Sequence, residues 1–251
     1  MAQLTVATLN IRNIADRWPE RLPLLLADMA ALQPDLMGLQ EVIFAVQQDR
    51  LLGAAGAGRY EAFQGWAGRP EYGNAVLVKE PLRGLEGERV DLDHKRSAEL
   101  VQVTVGGGEQ LRFVATHLHH EVPDEAIRDQ QAVALVSWLD GGTPTGDPPT
   151  VVVGDFNAEP VEPAYRRMVA AGFRSASVEA NGTEPPVTWP SGIQAPGMDD
   201  DGEPGCLDYI WVRGPISVQS CRVVFDRPAA DDPTLYPSDH FGLVASITVG
   251  G

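Results

Sequence analysis

Thr150-Val-Val-Val-Gly-Asp-Phe-Asn157 is the stretch that decides the fold. Four β-branched residues in a row read as a strand buried on both faces, and a glycine then hands the chain to a carboxylate, a ring and an amide. Strand alternation sends Asp155 and Asn157 to one side and Phe156 to the other, toward a core. A plain turn stays open as a reading, because Gly, Asp and Asn are all turn formers.

Further strand-like runs lie on either side, at 4–9, 36–40, 75–78, 100–105, 111–118, 207–212, 218–225 and 242–249. Helical periodicity is clearest at 21–32, where Leu22, Leu25, Leu26 and Met29 share a face. A second helix is expected at 124–139, with Ile127, Val133, Val136 and Leu139 apolar and Pro123 as its start signal, and a third at 163–171. Strands and helices interleave, while many strands are hairpin-spaced, so the class is a mixed α/β sandwich. The breaker-rich segments 141–149 and 181–205 read as loops within a single domain spanning 1–251.

The chain has 251 residues and a net charge of 19 − 35 = −16. A hydrophobic fraction of 43% with 22% charged residues excludes global disorder. No apolar run approaches the roughly 20 residues of a membrane span, so stable membrane insertion is not expected. The acidity argues against a protein that coats nucleic acid, which needs clustered cations to displace counterions. It leaves room for an enzyme that grips one or two phosphates. Only two lysines, Lys79 and Lys95, stand among many arginines, a usage common in GC-rich bacterial genomes. Two cysteines, Cys206 and Cys221, make no disulfide framework and are read as reduced thiols. With no basic or apolar leader at the N-terminus, the expected location is cytoplasmic.

Chemistry-bearing residues gather where strands end. Asn10 closes the first, Glu41 the second, and His117 lies near the end of 111–118. Asp155 and Asn157 follow 150–153, Asp208 opens the next strand, and Asp239-His240 precedes the last. Shared on one rim, they would form the kind of site a metal-dependent hydrolase needs. Each also has a plainer reading: Asn10 as a strand terminator, Glu41 as a helix-start carboxylate, His117 as a satisfied buried histidine, Ser238-Asp-His240 as a local hydrogen-bonded loop. Trp66 and Trp189 are expected in the core.

Taken in order, Thr8-Leu-Asn-Ile11, Pro34-Asp-Leu-Met-Gly-Leu-Gln-Glu41, Gly73-Asn-Ala75, Thr116-His-Leu118, Gly154-Asp-Phe-Asn157, Leu207-Asp-Tyr-Ile210 and Ser238-Asp-His240 resemble the endonuclease/exonuclease/phosphatase superfamily. That resemblance implies a four-layer α/β sandwich, two packed mixed and largely antiparallel sheets flanked by helices. It implies Mg²⁺ or Mn²⁺ held by Glu41 with Asn10 and Asp239. Asp155 and Asn157 would position the attacking water and bind a phosphate oxygen, or hold a second metal. His240 would contact the phosphoryl group or act as general base, with Asp208 fixing its tautomer, and His117 would support developing charge. Asn74 and Arg96 would bind substrate, Arg96 with a surface role as an equal reading. Arg128 and Gln131 continue the pattern and read as structural.

The implied activity is phosphodiester hydrolysis, with a small or lipid-like diester favoured over long nucleic acid. A DNA or RNA nuclease, an inositol- or sugar-phosphate phosphomonoesterase and a catalytically silent binding module are the alternatives. Two departures bear on this choice. Gly205-Cys206 precedes Leu207 where relatives often carry a basic residue, and the acidic run 199–203 lies near Asp208. His119-His120-Glu121 reads as a polar helix-entry loop, with an extension of the phosphate or metal site as the alternative. No protein partner can be inferred.

Overall fold

The computed structural model describes residues 1–56, 59–85, 87–141, 148–198 and 202–250. Residues 142–147 of one breaker-rich segment and 199–201 of the acidic run lie outside them. In chain order the elements are β1 (Ala2–Asn10), α1 (Trp18–Leu32), β2 (Leu36–Ile43), α2 (Gln48–Ala55), β3 (Tyr60–Ala67) and β4 (Arg69–Lys79). There follow β5 (Arg83–Gly84), β6 (Glu88–Asp91), β7 (Ser97–Thr104), β8 (Gln110–His117), α3 (Glu125–Gly141) and β9 (Thr150–Asp155). The last are α4 (Pro163–Ala170), β10 (Arg174–Ser175), α5 (Ala176–Asn181), β11 (Asp208–Arg213), β12 (Ile216–Val224) and β13 (Gly242–Val249).

One sheet runs β12-β13-β1-β2-β4-β3, and the other β10-β11-β9-β8-β7-β5 with β6 also on β7. Among the described residues only β1/β2 and β8/β9 pair in parallel, so both sheets are mixed and largely antiparallel. Three apolar layers hold the stack. Val6, Val76, Phe113, Val151 and Val153 fill the space between the sheets. Ala132, Leu135 and Met168 of α3 and α4 pack with Phe156 and Trp211 on one outer face, and Leu25, Met29 and Leu52 of α1 and α2 with Leu9 and Leu39 on the other. The result is the expected four-layer sandwich.

Two helices differ from their sequence reading. The buried stripe of α1 is Arg21, Leu25 and Met29, so an arginine heads the apolar face. In α3 the buried face is Arg128, Gln131, Ala132, Leu135 and Leu139, leaving Val133 40% exposed. Polar residues take the inner positions of α3 because the loop's backbone groups there need partners. Arg128 serves the carbonyls of Glu121 and Val122 and the Glu162 carboxylate, and Gln131 accepts from the His119 amide. Arg128 and Gln131 are thus structural, as read. His119 also bonds Asp124, which makes 119–124 a helix-entry loop.

Candidate active site

The parallel pairs set the site. Side by side, β1 and β2 deliver Asn10 and Gln40 to one edge, and β8 and β9 pair His117 with Asp155 at the same edge of the other sheet. Gly154 makes the second pairing feasible: with φ 149, a Cβ there would lie 1.9 Å from the Thr116 carbonyl oxygen. Only glycine permits that approach.

Asp155 is the centre. Its Oδ2 accepts from Asn10 Nδ2 at 3.0 Å and lies 3.4 Å from His117 Nε2 and 3.6 Å from His240 Nε2. Its Oδ1 accepts from the Asn157 amide at 2.8 Å, while Asn157 Nδ2 donates to the Leu118 carbonyl. Behind His240, Nδ1 meets Asp208 Oδ2 at 2.9 Å. Thr188 Oγ1 accepts from the amides of Leu207 and Asp208, and its carbonyl accepts from the Phe241 amide, fixing both members of that pair.

Electrostatics follow from burial and partners. Burial opposes a charge on His240, but Asp208, Asp155 and Asp239 outweigh it and raise its pKa, so the imidazole is held protonated. Burial raises Asp155 above the usual carboxylate range, against the pull of His240 and the Asn10 bond. His117 is pushed the other way, by burial first and by the Arg96 charge second. Arg96 donates to Nδ1 of both His117 and His120 at 3.0 Å. Guanidinium nitrogens only donate, so both rings present Nδ1 as acceptor and carry their proton on Nε2. Arg96 is therefore a cation held by neutral rings and the Tyr72 hydroxyl, with no ion pair to a carboxylate among the described residues.

Glu41 reaches the site through a bulge. The register of β2 against β4 shifts between Leu39 and Val42, and Glu41 has φ 57, which re-aims its side chain. Its oxygens accept from Asn10 Nδ2 at 3.4 Å and Asn13 Nδ2 at 2.7 Å. Asp239 Oδ2 lies 3.4 Å from Arg12 Nη1, and Ser238 Oγ donates to the Asn10 carbonyl at 2.6 Å. Asn10 thus links the Glu41 side of the site to Asp155. Asp155, Asp208 and His240 form the acid/imidazole cluster with ligand atoms mutually within 4.8 Å.

Asn74 is 2% exposed and donates to the Ser97 carbonyl at 2.9 Å, bracing β4 against β7. Trp66 is not in the core: it is 42% exposed beneath the Arg89 guanidinium, 3.6 Å from the ring centre. Trp189 is half-buried, its ring 6.4 Å from that of His240. Missed by sequence reasoning were Arg12, Asn13 and Arg21. Fully buried, Arg21 donates to the carbonyls of Ile11, Arg12, Asn13, Ala15, Asp16 and Pro237, tying the loop after β1 to the loop that carries Asp239 and His240. Only its place on an apolar helix stripe hinted at this.

The model of the Endonuclease/Exonuclease/phosphatase family matches residues 7–240. The chain belongs to that family. The family is one of divalent-metal-dependent phosphoesterases. Among curated proteins the chain is similar to Nocturnin of Rattus norvegicus, 27% identical over 269 residues covering 92% of this chain and 59% of that protein. Nocturnin of Homo sapiens is 28% identical, with 92% and 58% covered. The chain thus spans about three-fifths of the length of these relatives. The human Nocturnin catalytic domain with bound sulfate superposes with a TM-score of 0.80 at 24% identity, covering 99% of this chain and 94% of that one. TDP2 of D. rerio, complexed with single-strand DNA product, gives 0.80 at 18% identity, covering 99% and 100%. These likenesses establish the shared family fold.

Proposed function

We propose that the protein is a Mg²⁺- or Mn²⁺-dependent phosphodiesterase that hydrolyses a small or lipid-like phosphodiester with water as nucleophile. The observation that carries this reading is the convergence on Asp155 Oδ2 of Asn10, His117 and His240, while Asn10 also reaches Glu41. The donor set suits a hard cation: Glu41 and Asp239 supply carboxylate oxygens and Asn10 an amide. A bound ion would neutralise charge on the phosphoryl oxygens.

The other groups divide the remaining work. Asp155, buried and raised in pKa, accepts a proton from the attacking water, and the Asn157 amide holds its second oxygen in place. His240, kept protonated by three carboxylates, donates to a phosphoryl oxygen rather than acting as base. His117 offers a neutral Nε2–H to the same charge, and Arg96 behind it supplies a cation. Asn74 acts by bracing the start of β7, the residue next after Arg96. In-line phosphoryl displacement is mostly positioning and charge stabilisation, which these groups would supply together with the bound ion.

The test sets bis(p-nitrophenyl) phosphate against p-nitrophenyl phosphate, with Mg²⁺, Mn²⁺ or chelator. The diester is expected to be cleaved only with metal, and His240→Ala or Asp155→Ala to abolish turnover in a folded chain. Activity unaffected by chelation contradicts the reading, and cleavage of the monoester alone replaces it with a phosphomonoesterase. A nuclease is the second reading, favoured by the likeness to a TDP2 whose structure holds a DNA product. The charge of −16 weighs against a long polyanion. A gel assay on single-stranded DNA across salt concentrations separates the two.

A further inference from the structure

Arg12 stands where two demands on one cation meet. Its Nη1 lies 3.4 Å from Asp239 Oδ2, and its Nε donates to Asp16 at 2.6 Å. Burial alone would lower its pKa, but Asp239, Asp16 and Glu41 together raise it, which brings both carboxylates proposed for the metal within its field. Its backbone is held separately: the amide donates to Asn10 Oδ1, the carbonyl accepts from Arg21, and φ is 54. The side chain is 28% exposed, whereas its partner Asp239 is almost wholly buried.

We propose that Arg12 is a resident counter-cation of the metal site: it weakens metal binding by sharing Asp239 with the ion, and it contributes to phosphate binding beside it. This rests on the proposed metal-dependent reading. Two cations on one carboxylate repel, so Arg12 lowers the affinity for a doubly charged ion. The same charge attracts an anionic phosphoryl group. The two effects have opposite sign, which a merely structural arginine would not produce. Loss of a structural support weakens metal and substrate binding together.

The experiment uses the full chain. Mn²⁺ binding is measured by calorimetry, without substrate, for the parent, Arg12→Met and Arg12→Lys. Steady-state kinetics on bis(p-nitrophenyl) phosphate follow at saturating Mn²⁺. Arg12→Met is expected to bind Mn²⁺ about ten-fold more tightly and to lose about ten-fold in kcat/KM, largely through KM. Arg12→Lys, which keeps the charge, stays within about three-fold of the parent in both. Unchanged or weaker Mn²⁺ binding by Arg12→Met, with the parent binding normally, overturns the inference and leaves the proposed function standing. No Mn²⁺ binding by the parent overturns both.

Discussion

Replacing Arg21 with methionine is expected to loosen both halves of the site at once. The guanidinium is fully buried, and burial is the chief cause that lowers its pKa to about 10, which still leaves it charged at neutral pH. Its donors serve carbonyls at 2.7 Å (Asp16), 2.8 Å (Ala15), 2.9 Å (Ile11 and Pro237), 3.1 Å (Arg12) and 3.4 Å (Asn13). Methionine fills comparable volume but donates nothing. Several carbonyls then lose a charge-assisted donor at about 1–3 kcal/mol each where water cannot enter. Relief of the buried charge offsets part of this, so a net loss of about 4 kcal/mol is expected. With a urea slope of about 3 kcal/mol/M for a chain of this size, the midpoint falls by about 1.3 M. Urea titration by tryptophan fluorescence checks it. Turnover should fall more than the folded fraction does, because Ile11 through Asp16 and Pro237 are released together. A midpoint shift below about 0.3 M with normal turnover would refute the scaffold role of Arg21.

Two further outcomes are expected. Asp208→Asn removes the carboxylate 2.9 Å from His240 Nδ1, and by analogy with other carboxylate–histidine pairs kcat should drop about 10²–10⁴-fold; NMR titration of the ring should show its pKa falling, and a loss under ten-fold would contradict the pairing. Burial raises Glu99 to about 7, against the field of Arg89, so the folded chain keeps a proton that the unfolded chain has lost above its ordinary value of 4.5. The stabilising contribution of that proton is complete below pH 4.5 and is lost as pH rises to 7, so Glu99→Gln should gain on the parent in urea midpoint between pH 5 and pH 8, and parallel curves would sink this assignment.

Much of the fold was legible because its inner strands are made of residues with one obvious use. Val151, Val152 and Val153 are each 0% exposed, and Phe156 turned into the core as alternation required. The edge strand β3 was not legible: Tyr60-Glu-Ala-Phe-Gln-Gly-Trp-Ala67 has a half-exposed, irregular pattern, and it is a strand because β4 pairs with it. The two-residue β5 and β10 exist only through their partners. In the site, acids and imidazoles at strand ends declared themselves by residue type. Arg12, Asn13 and Arg21 did not. Their roles depend on a loop in which Arg12, Asn13, Asp16 and Arg17 all take left-handed backbone conformations, a geometry that no local pattern encodes. Similarly, α1 starts at Trp18, with Pro19 in its first turn, so the stripe begins on a cation that apolar periodicity passes over.

On the proposed reading Glu41 and Asp239 hold one divalent cation beside a phosphoryl group, with Asn10 joining Glu41 to Asp155. A crystal structure with Mn²⁺ and inorganic phosphate, located by anomalous scattering, tests it most directly. Manganese is expected on carboxylate oxygens of Glu41 and Asp239, and phosphate within hydrogen-bond reach of His240 and His117. Manganese seated instead on Asp155, Asp208 and His240, or phosphate bound away from these histidines, would contradict it.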